Sequence, residues 1–216
     1  DRISDFGLQS SNAGSVFTNN GMITIGSNGT VSNSGIFVNQ SASFSNSSLG
    51  SIQINNANVN WWTKAIAVSG ATFANTGLIV MGNLFQNSGG ISIESAGTFT
   101  NNASGIVQAH HTFYNGIQVV HSGSVCTNHG SILMGTIGSL GYNGILAEQS
   151  ASFTNSISGS IEINNVNPNW WSRGIMLSAS GAFSNAGSIQ LGNLLSNTTG
   201  IFVDGSGGFT NTSDGT

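Results

Sequence analysis

The sequence predicts an all-β chain wound as a right-handed parallel β-helix, a solenoid of about eight coils of 25 to 30 residues arranged as two four-coil repeats. Three observations predict it. A long repeat of 109 residues fills the chain, a finer repeat divides it into quarters, and short runs of strand-like polarity occur without any helical stripe.

The long repeat is the most visible. Gly35-Ile36, Ser41-Ala42-Ser43-Phe44 and Trp61-Trp62 return as Gly144-Ile145, Ser150-Ala151-Ser152-Phe153 and Trp170-Trp171, each 109 positions on. Later landmarks such as Phe73 and Phe183 are 110 apart, which places one inserted residue near Ser178 to Ser180. The chain therefore divides into residues 1–109 and 110–216, two copies within one continuous solenoid. Neither end shows a polar capping segment, so a longer parent array is expected.

Within each coil the first strand opens at a Gly-Ile type step: Gly7-Leu8, Gly35-Ile36, Ala65-Ile66, Gly90-Ile91, Gly116-Ile117, Gly144-Ile145, Gly174-Ile175 and Gly200-Ile201. The second strand carries an aromatic residue two positions before an asparagine. The aromatic row is Phe17, Phe44, Phe73, Phe99, Phe153, Phe183 and Phe209, with Cys126 in the eighth place. The asparagine row is Asn19, Asn46, Asn75, Asn101, Asn128, Asn155, Asn185 and Asn211. The third strand follows as Gly-x-Ile or Gly-x-Val at Ile23, Ile52, Ile79, Val107, Ile132, Ile161 and Ile189. The gap from aromatic to aliphatic alternates between 6 and 8 residues, so two corner lengths alternate.

Ile36-Phe37-Val38, Ile52-Gln53-Ile54 and Ile161-Glu162-Ile163 are read as alternating strands, bounded by Gly, Asn and Ser clusters. Stacked coils set Phe on Phe and Asn on Asn about 4.8 Å apart. One coil cannot bury enough apolar surface to order itself, so the fold exists only as a stack. Asparagine suits the corner because it tolerates the left-handed backbone region, bonds to turn backbone, and can pass side-chain hydrogen bonds along a stacked row. A propeller needs roughly 40 residues per blade, and these units are too short.

Composition narrows the function. Only 5% of residues are charged while 38% are hydrophobic, and the net charge is −4. With Arg2, Lys64 and Arg173 as the only fixed cations there is no footprint for nucleic acid. No run approaches the 18 apolar residues of a membrane span, so direct membrane insertion of this segment is not expected. Cys126 is the single cysteine, and its place in the aromatic row predicts a buried hydrophobe.

Catalysis by acid pairs is not expected. Glu148 and Glu162 share a coil, but Asn39 and Gln53 replace them in the first copy, and Glu94 and Asp204 lie four coils, about 19 Å, apart. His110, His111, His121 and His129 read as solvated surface residues rather than a metal set, and no metal or other cofactor is expected. Ice binding would want a regular Thr face. The outward row Thr24, Gln53, Val80, Gln108, Leu133, Glu162 and Gln190 is irregular.

One feature stands out from the core grammar. Each copy has a long turn ending in Trp61-Trp62-Thr63-Lys64 or Trp170-Trp171-Ser172-Arg173. Neighbouring residues of a strand face opposite ways, so at most one Trp of each pair easily enters the core. Either the loop folds back and both rings cover the rod's own side, or an exposed aromatic with a cation beside it repeats every four coils. Trp61, Trp62, Lys64, Trp170, Trp171 and Arg173 are thus the candidate contact residues, for a sister rod or for the rings of cell-surface glycans.

The phrases Ser15-Val16-Phe17-Thr18-Asn19-Asn20-Gly21-Met22-Ile23, Gly97-Thr98-Phe99-Thr100-Asn101 and Gly181-Ala182-Phe183-Ser184-Asn185-Ala186-Gly187-Ser188-Ile189 resemble the repeats of large bacterial surface adhesins. These include filamentous-haemagglutinin-like exoproteins, autotransporter passenger domains and giant repeat proteins of Bacteroidetes-type bacteria. The resemblance implies an exported, extracellular shaft or fibre segment at the bacterial cell surface, associating with copies of itself. The second expectation is a glycan-binding module using the Trp turns. No catalytic or binding residue carries over, because the shared phrases are core grammar.

Overall fold

The computed structural model describes residues 5–26, 31–55, 63–82, 89–164, 166, 172–192 and 199–216. Every regular element among them is a β-strand, and all strand pairings are parallel. The strands form three sheets of eight, eight and seven, and each strand between the end strands of its sheet is bonded to strands of the coils before and after it. The described residues therefore form seven complete three-strand coils and two strands of an eighth. This refines the expected count of about eight.

The first sheet runs through Leu8–Ser10, Ser34–Asn39, Lys64–Ser69, Gly89–Glu94, Ile117–Val120, Asn143–Glu148, Arg173–Ser178 and Thr199–Val203. The second begins with Val16–Asn19 and ends with Gly208–Asn211; the third begins with Met22–Ile25 and ends with Ser188–Leu191. Registers follow the sequence rows: Leu8 pairs with Ile36, Phe17 with Phe44 and Ile23 with Ile52, and the rows continue from coil to coil.

A middle coil shows how the core is made. Ile36 and Val38 from the first sheet, Phe44 from the second, and Ile52 and Ile54 from the third all point inward and are at most 1% exposed. These five large side chains, with the small Ala42, fill the interior of this coil, and Asn46 closes the corner between the second and third strands. The phenyl rings stack with centroids 4.9 Å apart for Phe17 on Phe44 and 4.6 Å for Phe44 on Phe73, close to the strand spacing that dictates them. Cys126 interrupts this stack in register between Phe99 and Phe153 and is fully buried, with its thiol pushed far up by desolvation.

The asparagine row forms a continuous hydrogen-bonded ladder. Each Nδ2 donates to the Oδ1 of the next coil's asparagine at 2.8 Å, from Asn19 through Asn46, Asn75, Asn101, Asn128, Asn155 and Asn185 to Asn211. Each amide also bonds across its own corner. Asn75 Nδ2 reaches the Gly77 carbonyl two residues on, while Asn101 Nδ2 reaches that of Gly105 four residues on. The alternating corner lengths are therefore spanned by one side chain. One expectation fails here: none of these eight asparagines has a positive φ. They are the last residues of strands, facing inward.

Among non-glycine residues the left-handed backbone falls instead between the first and second strands, including the pairs Gln40-Ser41, Ser95-Ala96, Gln149-Ser150 and Ala179-Ser180, with φ from 45° to 66°. The corresponding turn of Lys64–Ser69 uses Gly70 alone, at φ 56°. That one-residue difference locates the insertion in the second copy.

Candidate functional site

Outward positions of the three sheets differ in one respect. In the second and third sheets none of the outward residues, such as Ser45, Thr100, Gln53 or Leu133, is buried. In the first sheet Ala67, Ser92 and Leu146 face outward by alternation, yet they are 7%, 2% and 8% exposed. Ile36-Phe37-Val38 is not an alternating strand after all, because Phe37 is outward and half-buried. Three apolar residues in succession mark a strand covered on both faces.

The cause is a groove of about 670 Å³ along the outer face of this sheet. Its floor is the in-register row Phe37, Ala67, Ser92, Gln118 and Leu146, in which the small Ala67 and Ser92 make the depression between larger neighbours. Phe6 stacks on Phe37 at one end, ring centroids 4.6 Å apart. Tyr114, from the segment leading into Ile117–Val120, forms a wall and stacks on Tyr142 of the next coil at 5.6 Å.

Polar groups converge on this depression. Lys64, Glu94 and Glu148 line it, three of the few charged residues of the chain. The Lys64 ammonium lies 5.8 Å from the Tyr114 ring centroid. Burial pulls its pKa below the ordinary lysine range, opposed by the negative charge of Glu94. Amides supply the other wall: Asn143 Nδ2 donates to Asn115 Oδ1 at 2.9 Å, and Asn115 Nδ2 donates to Gln118 Oε1 at 3.4 Å. This relay fixes Asn115 and Gln118 from behind. Ser178 Oγ donates to Glu148 Oε2 at 3.4 Å.

Of the candidate contact residues, Trp61, Trp62, Trp170 and Trp171 lie outside the described residues. Lys64 and Arg173 both begin first-sheet strands. Lys64 enters the groove, and Arg173 sits over the Phe202 ring, 4.7 Å from its centroid. The phenylalanine and asparagine rows are internal ladders, buried from Phe44 to Phe183 and from Asn19 to Asn185.

The histidines depart from the surface reading. His110 is 4% exposed and shares a hydrogen bond of 2.9 Å between its Nδ1 and Thr136 Oγ1. Burial, with the adjacent His111, lowers its pKa. His111 is half-buried, its Nδ1 2.8 Å from the Gly82 carbonyl, while His129 meets Ser156 Oγ at 2.8 Å. Only His121 is exposed. Among the described residues no three His, Cys, Asp or Glu side chains gather as metal ligands.

The groove is not legible in the sequence because its members come from six coils. Its signal was the loss of alternation at Phe37 and Leu146, set against the small outward residues Ala67 and Ser92.

The fold defines the class as a parallel β-solenoid built on internal Phe and Asn ladders. No family model matches the chain, and no curated relative matches it. Among solved structures it is similar to the crystal structure of a TibC-catalysed hyper-glycosylated TibA fragment, at 16% identity and a TM-score of 0.31, over 98% of this chain and 77% of that one. At that score nothing about this chain rests on the likeness.

Proposed function

We propose that this chain is a structural shaft or fibre segment of a large secreted bacterial cell-surface adhesin. One observation carries the reading: the same side chains occupy the same ladder positions in coil after coil, so the sequence is devoted to extending a rod. Such an array keeps its cross-section while its length grows by about 4.8 Å per coil. The ladder phrases are also the ones that resemble adhesin repeats. In this reading the chain performs no catalysis, acts outside the cell, and packs side by side with copies of itself through the tryptophan turns.

Three experiments test it. Two copies joined in tandem should scatter X-rays as a single straight rod, roughly twice the length of one, whereas two jointed bodies would overturn the shaft. Antibodies to the chain should label intact cells of its source, and exclusively intracellular labelling would overturn the surface location. Trp61→Ala with Trp170→Ala should lower the assembled fraction in sedimentation. Unchanged assembly would remove the lateral seam from the proposal.

A further inference from the structure

We infer that the groove on the outer face of the first sheet binds a neutral oligosaccharide of a few sugar rings. The inference goes beyond the shaft reading and stands whether or not the chain belongs to a surface fibre.

The size and place of the groove limit its ligand. Its volume lies within the range of small-molecule sites, and its floor crosses five strands, about 19 Å from Phe37 to Leu146. The strands beneath it are paired on both edges from Ser34–Asn39 to Arg173–Ser178, so no sheet edge is available to an added peptide strand. Side chains must do the recognising. They are of two kinds: aromatic faces at Phe6, Phe37 and Tyr114, and carboxylate, amide and ammonium groups at Glu94, Gln118 and Lys64.

A pyranose ring matches both. Its axial C–H bonds form an apolar face with slight positive charge, which suits the negative face of an aromatic ring. Its hydroxyls donate to carboxylates and accept from amides and ammonium groups. Among the described residues no hydrogen bond reaches the Glu94 carboxylate, which lines the groove and interacts electrostatically with Lys64. Two carboxylates against one ammonium disfavour a polyanion such as a sulfated or uronic-acid chain. The relay from Asn143 through Asn115 holds Gln118 in place before any ligand arrives, which lowers the ordering cost of binding.

The test uses the whole 216-residue chain and three probes: cellotriose, maltotriose and triacetylchitotriose, titrated by saturation-transfer NMR. At least one should bind in the millimolar range or tighter. Phe37→Ala and the isosteric Glu94→Gln should each weaken that binding tenfold or more. Met176→Ala, which is on the same outward row two coils beyond Gln118, should leave it within twofold. Far-UV circular dichroism checks that each variant is folded, and Glu94→Gln decides should Phe37→Ala misfold. Binding of none of the probes overturns the inference. So does binding that survives both groove substitutions within twofold, or equal binding of tetra-alanine, which has the length of a short oligosaccharide without its hydroxyls.

Discussion

Replacing Asn101 by alanine tests the ladder that closes the solenoid's corner. Asn101 is 1% exposed, accepts from Asn75 Nδ2 at 2.8 Å, and donates to Asn128 Oδ1 at 2.8 Å. Asn101→Ala removes both links, at about 1 kcal/mol each net, and orphans the buried Asn128 Oδ1, at about 1 to 3 kcal/mol. The Gly105 carbonyl also loses the Asn101 amide but keeps the Ser131 N–H at 3.0 Å, so it adds little. The expected loss is about 3 to 5 kcal/mol. With a urea slope of about 3 kcal/mol per molar, the midpoint falls by roughly 1 to 1.7 M, read by far-UV circular dichroism. The comparison variant is Asn211→Ala at the exposed end of the ladder, where water replaces the lost partners and the loss stays below about 1 kcal/mol. If the central substitution costs no more than the terminal one, the ladder does not stabilise the corner and the reasoning is refuted.

Gly77→Ala should lower stability by about 2 kcal/mol or more, since the added Cβ would collide with the Gly50 and Ser47 carbonyl oxygens. Gly21→Ala at the equivalent corner, with nothing within 4 Å, should stay within about 0.5 kcal/mol in the same urea titration. Cys126 should resist thiol reagents at pH 8 in the folded chain, because burial holds it as the thiol, and should react fully in denaturant; rapid labelling without denaturant would contradict its burial. For His110 the folded pKa lies below the ordinary 6.5, so the unfolded chain binds more protons in that window. Stability is then present above about pH 6.5 and falls as the pH drops from there toward the lowered value. His110→Gln, which keeps a partner for Thr136, should flatten that step in urea midpoints measured across pH.

The legible part of the fold was the part written in ladders. Phe44, Phe73 and Phe99 recur because a side chain stacked about 4.8 Å below its own kind sees the same surroundings, so each coil repeats the last one's choice. Asn46 and Asn75 recur for the same reason, and their amides link as expected from row to row. The backbone at these asparagines was misjudged. The composition of Asn-rich corners suggests left-handed turns, whereas inward burial at a strand end makes the amide a core hydrogen-bonding group.

The sequence by itself determined the solenoid: its period, its three strands per coil, and the identity of the Gly-Ile, phenylalanine, asparagine and Gly-x-Ile rows. Those follow from local alternation and from like stacking on like, which are one-dimensional properties. Only the tertiary structure decided what the outside offers. Phe37, Ala67, Ser92, Gln118 and Leu146 are each ordinary in sequence and widely separated along it. Their parallel register places them in one row, where the small pair between bulky neighbours opens a depression beside Lys64, Glu94 and Tyr114. A groove is a difference in side-chain height between coils, and a repeat pattern records what the coils share.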